Sequence, residues 1–107
     1  MADRIPLVVD SSSQQIKELP AGDSIILADN EKIKIGTGSD LNVYHDGSNS
    51  YIDETGTGIL YIRSNDVRLM KADGSETMLQ ADDDGAVNLF HNNALKLATT
   101  STGATVT

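Results

Sequence analysis

An acidic run is the first stretch of this chain with an evident capacity for chemistry. Asp82-Asp83-Asp84-Gly85 suggests a calcium loop, because carboxylate oxygens are the ligands that calcium prefers. Aligned on an EF-hand loop, however, the run puts Gln80 at the first ligand position and His91 at the last, where a glutamate is expected. No helical pattern flanks it. We therefore interpret the run as an acidic, solvated turn.

The two histidines, His45 and His91, are the next candidates. Three copies of one histidine around a symmetry axis could bind a transition metal, but a lone histidine lacks the paired spacing that most metal sites show. His45 precedes Asp46 at the end of a predicted strand, where we expect a hydrogen-bonded turn. Cysteine is absent, which excludes thiolate sites. The sequence predicts no metal and no cofactor.

Enzymatic motifs are weak. Gly56-Thr57-Gly58 lacks the lysine and the strand-to-helix context of a phosphate loop. Asp53 and Glu54 are adjacent and point to opposite faces of a strand, so they are poorly placed as a pair of glycosidase acids. No order of serine, histidine and aspartate stands out. We expect no catalytic residues and no enzyme.

Charge and composition narrow the class further. The 107 residues include 16 acidic and 8 basic side chains, and the basic ones are scattered, which opposes binding to nucleic acid or anionic lipid. The longest apolar runs, at residues 6–9 and 24–28, are far below the roughly 20 residues of a membrane span. The N-terminus lacks a signal-peptide pattern. We expect synthesis in the cytoplasm and no membrane insertion.

Short aliphatic alternation organises the chain. Six apolar–polar–apolar triplets each put two aliphatic groups on one face of an extended chain, as in half-buried strands. Gly38, Gly47, Gly56, Asn65 and Gly74 follow one another at intervals of nine residues, which is typical of regularly spaced turns. No window shows helical spacing. The sequence predicts an all-β, elongated repeat fold of short strands and tight turns, with no significant helix. The triplets lie at residues 33–35, 41–43, 60–62, 67–69, 87–89 and 95–97.

A longer period of 27 residues lies over the short one. Ile33, Leu60 and Val87 are separated by 27 residues, and Asp46-Gly47-Ser48 recurs as Asp73-Gly74-Ser75 at the same offset. We predict a β-repeat shaft over residues 24–107, with approximate units 31–57, 58–84 and 85–107. Residues 1–23 differ: they read as an extended segment without a core of its own, either a disordered leader or an anchor for a partner.

Burial must come from outside a single chain. Aromatic residues are only 4% of the sequence, and about two aliphatic residues in nine cannot form an ordinary core. Open, apolar sheets would aggregate, whereas three copies around one axis would bury their stripes together. We therefore predict a homotrimeric, β-helix-like or β-prism-like fibre, with intertwined and side-by-side arrangements both open. The predicted trimer core consists of Ile33, Ile35, Leu41, Val43, Ile52, Leu60, Ile62, Val67, Leu69, Leu79, Val87, Leu89, Leu95, Leu97 and Val106.

Five stretches of the chain carry a resemblance to a known family: residues 1–10, 16–23, 40–52, 56–62 and 95–107, of which Tyr44-His45-Asp46-Gly47-Ser48 is the most specific motif. They resemble tail-fibre-like virion proteins of marine bacteriophages. The resemblance implies a trimeric structural component of the virion tail, assembled in the host cytoplasm, that links the tail to host recognition. It also implies that the N-terminal segment attaches to other virion proteins. The candidate attachment residues are Ile5, Pro6, Leu7, Val8, Val9, Ile16 and Leu19.

Two alternatives stay open. The chain could be a module that binds a host surface glycan, because the three tyrosines, Tyr44, Tyr51 and Tyr61, could stack on sugars as readily as they could cover apolar surface. It could also be a fibre that decorates the virion head, which only its position on the particle would distinguish.

Overall fold

The computed structural model describes residues 2–107, and the regular secondary structure in this part of the chain consists of β-strands, without a helix. The predicted all-β class is therefore confirmed. In the same range no helix offers the length and apolarity needed to cross a membrane. Met1, the first residue of the predicted N-terminal segment, lies outside the described residues. The strands are β1 Leu7–Asp10, β2 Gln15–Glu18, β3 Lys32–Ile35, β4 Leu41–His45, β5 Ser50–Glu54, β6 Asp66–Met70, β7 Thr77–Asp82, β8 Val87–His91, β9 Ala94–Thr100 and β10 Gly103–Val106.

The strands form three antiparallel sheets in two compact units that divide between Ile59 and Leu60. The first unit contains the hairpin β1–β2 and a three-stranded sheet in the order β3-β4-β5. The second unit is one five-stranded sheet in the order β10-β9-β8-β7-β6. Every pairing joins strands that are consecutive in the sequence, so each sheet is a simple meander.

The N-terminal segment contains more structure than the sequence predicts, because residues 7–18 form a closed hairpin. Asp10 makes the turn: its Oδ1 accepts hydrogen bonds from the backbone N–H of Ser12 (3.1 Å) and Ser13 (3.4 Å). Lys17 contacts Asp10 across the hairpin at 2.8 Å, and this contact, with the hydroxyl of Ser12, holds the pKa of the Asp10 carboxyl well below its usual range. The polar stretch between β1 and β2, which the sequence places in a segment without a core, is thereby stabilised as a turn.

The two Asp-Gly-Ser motifs form equivalent turns. Asp46 Oδ1 accepts the backbone N–H of Ser48 at 2.8 Å, and Asp73 Oδ1 accepts that of Ser75 at 2.9 Å. The intervening glycines have φ values of +98° and +75°, which L residues rarely adopt. The 27-residue offset therefore relates two turns of the same construction, one in the hairpin β4–β5 and one in β6–β7.

The strand predicted at Leu60-Tyr61-Ile62 is absent from the single chain, where residues 60–62 belong to no strand. The other five triplets lie in strands, namely in β3, β4, β6, β8 and β9. Three strands, β3 to β5, fall within the unit predicted at residues 31–57, and three more, β8 to β10, fall within the unit at 85–107. Only two, β6 and β7, lie in the unit between them. The first strand of this middle unit is missing, and the next strand in the chain, β6, has a free outer edge.

Candidate assembly surface

Hydrophobic side chains are not fully buried anywhere in residues 2–107. The single buried residue of this range is polar: Asn42 is only 8% exposed, and its Nδ2 donates to the carbonyl of Ser39 at 2.9 Å. Because folded domains normally bury much of their apolar surface, these sheets keep unusually large aliphatic areas in contact with solvent. The aliphatic faces are therefore the candidate functional surface.

In the first unit, one face of the sheet β3-β4-β5 is aliphatic. The pairing register places Ile33, Val43 and Ile52 side by side in one row across the three strands. Ile35 and Leu41 form a second row, which ends at Glu54. The segment at residues 25–28 flanks the first row and leaves an open, mainly apolar groove of about 570 Å³. This face is apolar but covered only in part.

In the second unit, an aliphatic row crosses the whole five-stranded sheet. Each of the five strands contributes one residue to this row, and each residue lies directly opposite the next one on the neighbouring strand. A shorter row, Val67, Ala81 and Val87, runs beside it. Leu95 lies opposite Phe90, next to an irregularity in the pairing of β8 with β9. The main row consists of Leu69, Leu79, Leu89, Leu97 and Val106.

These rows bring together most of the residues predicted for the trimer core. Three of them are exceptions: Leu60 and Ile62 lie outside the sheets and are exposed, and Leu95 pairs with Phe90 beyond the irregularity, outside these rows. The rows show which residues share a face within one chain. That three copies bury this face stays a prediction.

The predicted attachment residues belong to the N-terminal hairpin or flank it. Val9 lies opposite Ile16 in the register of β1 and β2, and both side chains are exposed. Val8 is half-buried and lies opposite Lys17. Leu19 closes the hairpin by donating its backbone N–H to the carbonyl of Pro6 at 3.0 Å. The hairpin thus presents an exposed aliphatic pair on an ordered support.

The other face of the sheet β3-β4-β5 carries a tyrosine cluster. The rings of Tyr44 and Tyr51 are stacked, with centroids 4.7 Å apart and planes 15° from parallel, and Lys32 Nζ lies 4.0 Å from the Tyr44 centroid. Because β4 lies between β3 and β5, Lys32 and Tyr51 cover opposite sides of Tyr44. The hydroxyls donate to carboxylates, Tyr44 to Asp53 at 3.3 Å and Tyr51 to Asp46 at 2.8 Å.

Electrostatics fix this cluster in one protonation state near neutral pH. Backbone N–H groups of Asn49 and Ser48, with the Tyr51 hydroxyl, lower the pKa of Asp46 from 3.8 to about 2. The hydrogen bond to Asp46 raises the pKa of Tyr51, and partial burial together with Asp53 raises that of Tyr44. Asp46 is therefore a carboxylate near neutral pH, and as such it accepts the hydrogen bonds that hold the turn.

His45 takes part in the same turn, as the sequence predicts. Its Nδ1 lies 3.0 Å from Ser50 Oγ, directly across the β4–β5 pair. His91 ends β8 opposite Ala94, far along the chain from His45. Within residues 2–107 no group of three or more histidine, aspartate or glutamate side chains is arranged to hold a metal ion.

The acidic run forms a tight turn between β7 and β8. Asp84 has a φ of +53°, and the backbone N–H of Gly85 donates to the Asp82 carbonyl at 3.1 Å. The Asp82 carboxylate accepts from Gln80 Nε2 at 2.9 Å, so Gln80 acts here as a donor to Asp82. The geometry fits the interpretation of a solvated turn.

The tyrosine stack is a feature that the sequence interpretation missed, although a signal for it exists. Tyr44 and Tyr51 flank a turn that begins at Asp46, and the pairing of His45 with Ser50 makes them direct cross-strand partners. Counting outward from the turn would have placed the two rings together.

Comparison of the chain with protein-family models, with curated proteins and with solved structures finds no match. The function proposed below is supported by the aliphatic faces of the two sheets and by the motifs of the chain itself.

Proposed function

We propose that this chain is a structural segment of a bacteriophage tail fibre, assembled as a homotrimer, that links the tail to host recognition. The observation that carries the proposal is the combination of aliphatic rows on both larger sheets with the lack of any fully buried hydrophobic residue in residues 2–107. A chain that buries so little apolar surface by itself gains much of its stability from a partner surface.

Copies of the same chain are the partners that the surface favours. Each aliphatic face is a narrow stripe, no more than two rows wide, so a complementary partner needs an equally narrow apolar stripe. Three such stripes around one axis cover one another, and a head-to-tail contact that closes on itself forms a ring without leaving a free interface. The free edges of β5 and β6 add backbone groups that can pair between chains.

Attachment to the virion is proposed for the N-terminal hairpin. Val9 and Ile16 lie opposite each other on an ordered support and are both exposed, as expected for residues that contact another protein. The resemblance of residues 1–10 and 16–23 to phage tail-fibre proteins supplies the nature of that partner, a tail protein of the virion.

The tyrosine cluster favours a structural role over glycan binding. Tyr44 has one side of its ring covered by Tyr51 and the other by Lys32, so neither side is open for a sugar. Both hydroxyls are already bonded to carboxylates of the same sheet. We propose a non-enzymatic structural protein whose polar face is solvated and whose aliphatic face is the interface.

Light scattering coupled to size exclusion tests the assembly. We expect a mass close to three times the 11.4 kDa of one chain. A stable monomer that unfolds cooperatively at every concentration would refute the trimer. Antibody labelling of intact phage particles then tests the location: label on the tail supports the proposal, whereas label confined to the head refutes it.

A double variant of the hairpin tests the attachment surface. Val9→Asp with Ile16→Asp should leave the mass of the trimer unchanged and abolish co-purification with tail proteins. The control, Glu18→Asp, changes an exposed residue of the same hairpin and keeps its charge, so it should retain both properties. Loss of the trimer in the double variant would assign these residues to assembly and not to attachment.

A further inference from the structure

The middle repeat has an unoccupied strand position. Leu60 lies 27 residues after Ile33 in β3 and 27 before Val87 in β8, yet residues 60–62 form no strand and make no backbone hydrogen bond with another residue of the range 2–107. Their side chains are apolar and open to solvent: Leu60 is 40%, Tyr61 72% and Ile62 69% exposed. An aliphatic triplet with strand spacing is costly to leave unpaired in water.

The edge that this triplet would complete is also free. In the first unit β3 pairs with β4, and in the second β8 pairs with β9. The equivalent partner for residues 60–62 is β6, which is the last strand of the five-stranded sheet and has no neighbour on its outer side. An apolar triplet and a free sheet edge of matching position are therefore both present in each chain.

The triplet cannot pair with β6 of its own chain in the observed conformation. The backbone N–H of Asp83 donates to the carbonyl of Asn65 at 2.8 Å, which continues the pairing of β6 with β7 as far as residue 65. In the register that would extend the aliphatic rows, with Ile62 opposite Val67, the turn residues would be Ser64 and Asn65. Two-residue hairpin turns need positive φ at one or both positions, and neither residue has it.

We propose that residues 60–62 of one copy form an antiparallel strand on β6 of the neighbouring copy. The hydrophobic pattern sets the register, because a shift by one residue would turn the aliphatic groups to the wrong face. Leu60 then lies opposite Leu69 and Ile62 opposite Val67, which extends both aliphatic rows of the second unit by one residue. Tyr61 falls opposite Arg68 on the other face.

The connection is long enough for such an exchange. Three residues, 63–65, span about 10 Å when extended. Packed sheets lie about 10 Å apart, so the connection reaches from one sheet to the next around an axis. The pairing rests on the proposed homotrimer and specifies it: the three chains exchange a strand, and each supplies one strand and accepts one.

Cysteine pairing tests the exchange, since the chain contains no cysteine of its own. Tyr61→Cys and Arg68→Cys chains are mixed in denaturant, refolded together, oxidised and separated on a non-reducing gel. We expect disulfide-linked dimers in the mixture and in neither variant alone. A chain that carries both substitutions should give covalent trimers. The matched control, Thr57→Cys mixed with Arg68→Cys, places the first cysteine in the exposed loop before the triplet and should give no linkage.

The mass from light scattering separates the possible failures. A trimeric sample without linkage between chains, or a double variant that links only within one chain, overturns the exchange and leaves the homotrimer in place. A monomeric sample overturns the homotrimer and the exchange together. Tyr61→Pro adds a second measurement: it should lower the trimer association constant at least tenfold, whereas Thr57→Pro should not, and an unchanged constant for Tyr61→Pro would contradict the pairing.

Discussion

Truncation of Ile52 to alanine separates the folding of one chain from its assembly. Ile52 lies in the aliphatic row of the first sheet, opposite Val43, and 63% of its surface is exposed in the single chain. The substitution removes three carbon groups, worth about 2.4 kcal/mol if they were fully buried. Roughly 0.9 kcal/mol of this stabilises the fold of the single chain, where part of the side chain is already covered. The remainder, about 1.5 kcal/mol per chain, is gained only when another chain covers the exposed part.

In a trimer, the loss of about 1.5 kcal/mol at the covered face occurs once in each of the three chains. The trimer should lose about 4.5 kcal/mol, or roughly three orders of magnitude in its association constant, while each chain loses only about 0.9 kcal/mol of unfolding free energy. Sedimentation equilibrium over a wide concentration range measures the first quantity. Urea unfolding below the association threshold measures the second.

Lys34→Ala is the matched control, because Lys34 is exposed on the opposite face of the same sheet. It should change neither quantity by a comparable amount. The reasoning is refuted if Ile52→Ala weakens association less than tenfold while it lowers the stability of the chain as expected. Equal weakening by both substitutions would show that the effect is not specific to the aliphatic face.

Three further predictions concern the turns and the one buried side chain. Asn42→Ala removes the hydrogen bond to the Ser39 carbonyl and should lower the urea-unfolding free energy by about 1–2 kcal/mol; an unchanged value would show that the bond is dispensable. Gly47→Ala imposes a side chain at a φ of +98° and should cost about 1–2 kcal/mol in the same assay, whereas Gly58→Ala, where an added Cβ meets no atom within 4 Å, should be nearly neutral. The fold lowers the pKa of Asp46 from 3.8 to about 2, so its contribution to stability is present above about pH 4 and is lost as the pH falls toward 2. Asp46→Asn should remove that part of the pH dependence of the urea midpoint, and parallel profiles would contradict the assignment.

Much of the fold could be predicted because alternation and turn chemistry are local signals. The triplet in β4, followed by Asp46-Gly47, specifies a strand and a turn without reference to the rest of the chain. The same holds for Val67-Arg68-Leu69 and for the turn at Asp73. Local patterns of this kind fix the class and most strand positions.

The pairing of strands is the part of the fold that local sequence patterns do not determine. Leu60-Tyr61-Ile62 has the pattern of a strand, but a strand also needs a neighbouring edge, and Ser64 and Asn65 lack the positive φ of a tight turn that would return the triplet to β6. Conversely, β2 contains a single aliphatic residue, Ile16, and no triplet. It is a strand because the turn at Asp10 places it beside β1, which composition and alternation do not reveal.

The candidate site was predictable only in part for the same reason. The parity of residues within a strand indicates which of its side chains share a face, as for Ile33 with Ile35 and Leu41 with Val43. The single row that joins all five strands of the second sheet depends on registers between strands. Two irregularities, at Leu69/Met70 and Leu89/Phe90, shift those registers, and no pattern in the sequence predicts them.

The meander connectivity of all three sheets has a consequence for the order of events during synthesis. Because every strand pairs with the one just before or after it, each hairpin can close as soon as it leaves the ribosome, without waiting for distant segments. Contacts this local form fast, whereas an encounter between three chains depends on their concentration. For the proposed trimer, assembly is therefore the slow, concentration-dependent stage, and its rate should rise with the number of copies being made at one time.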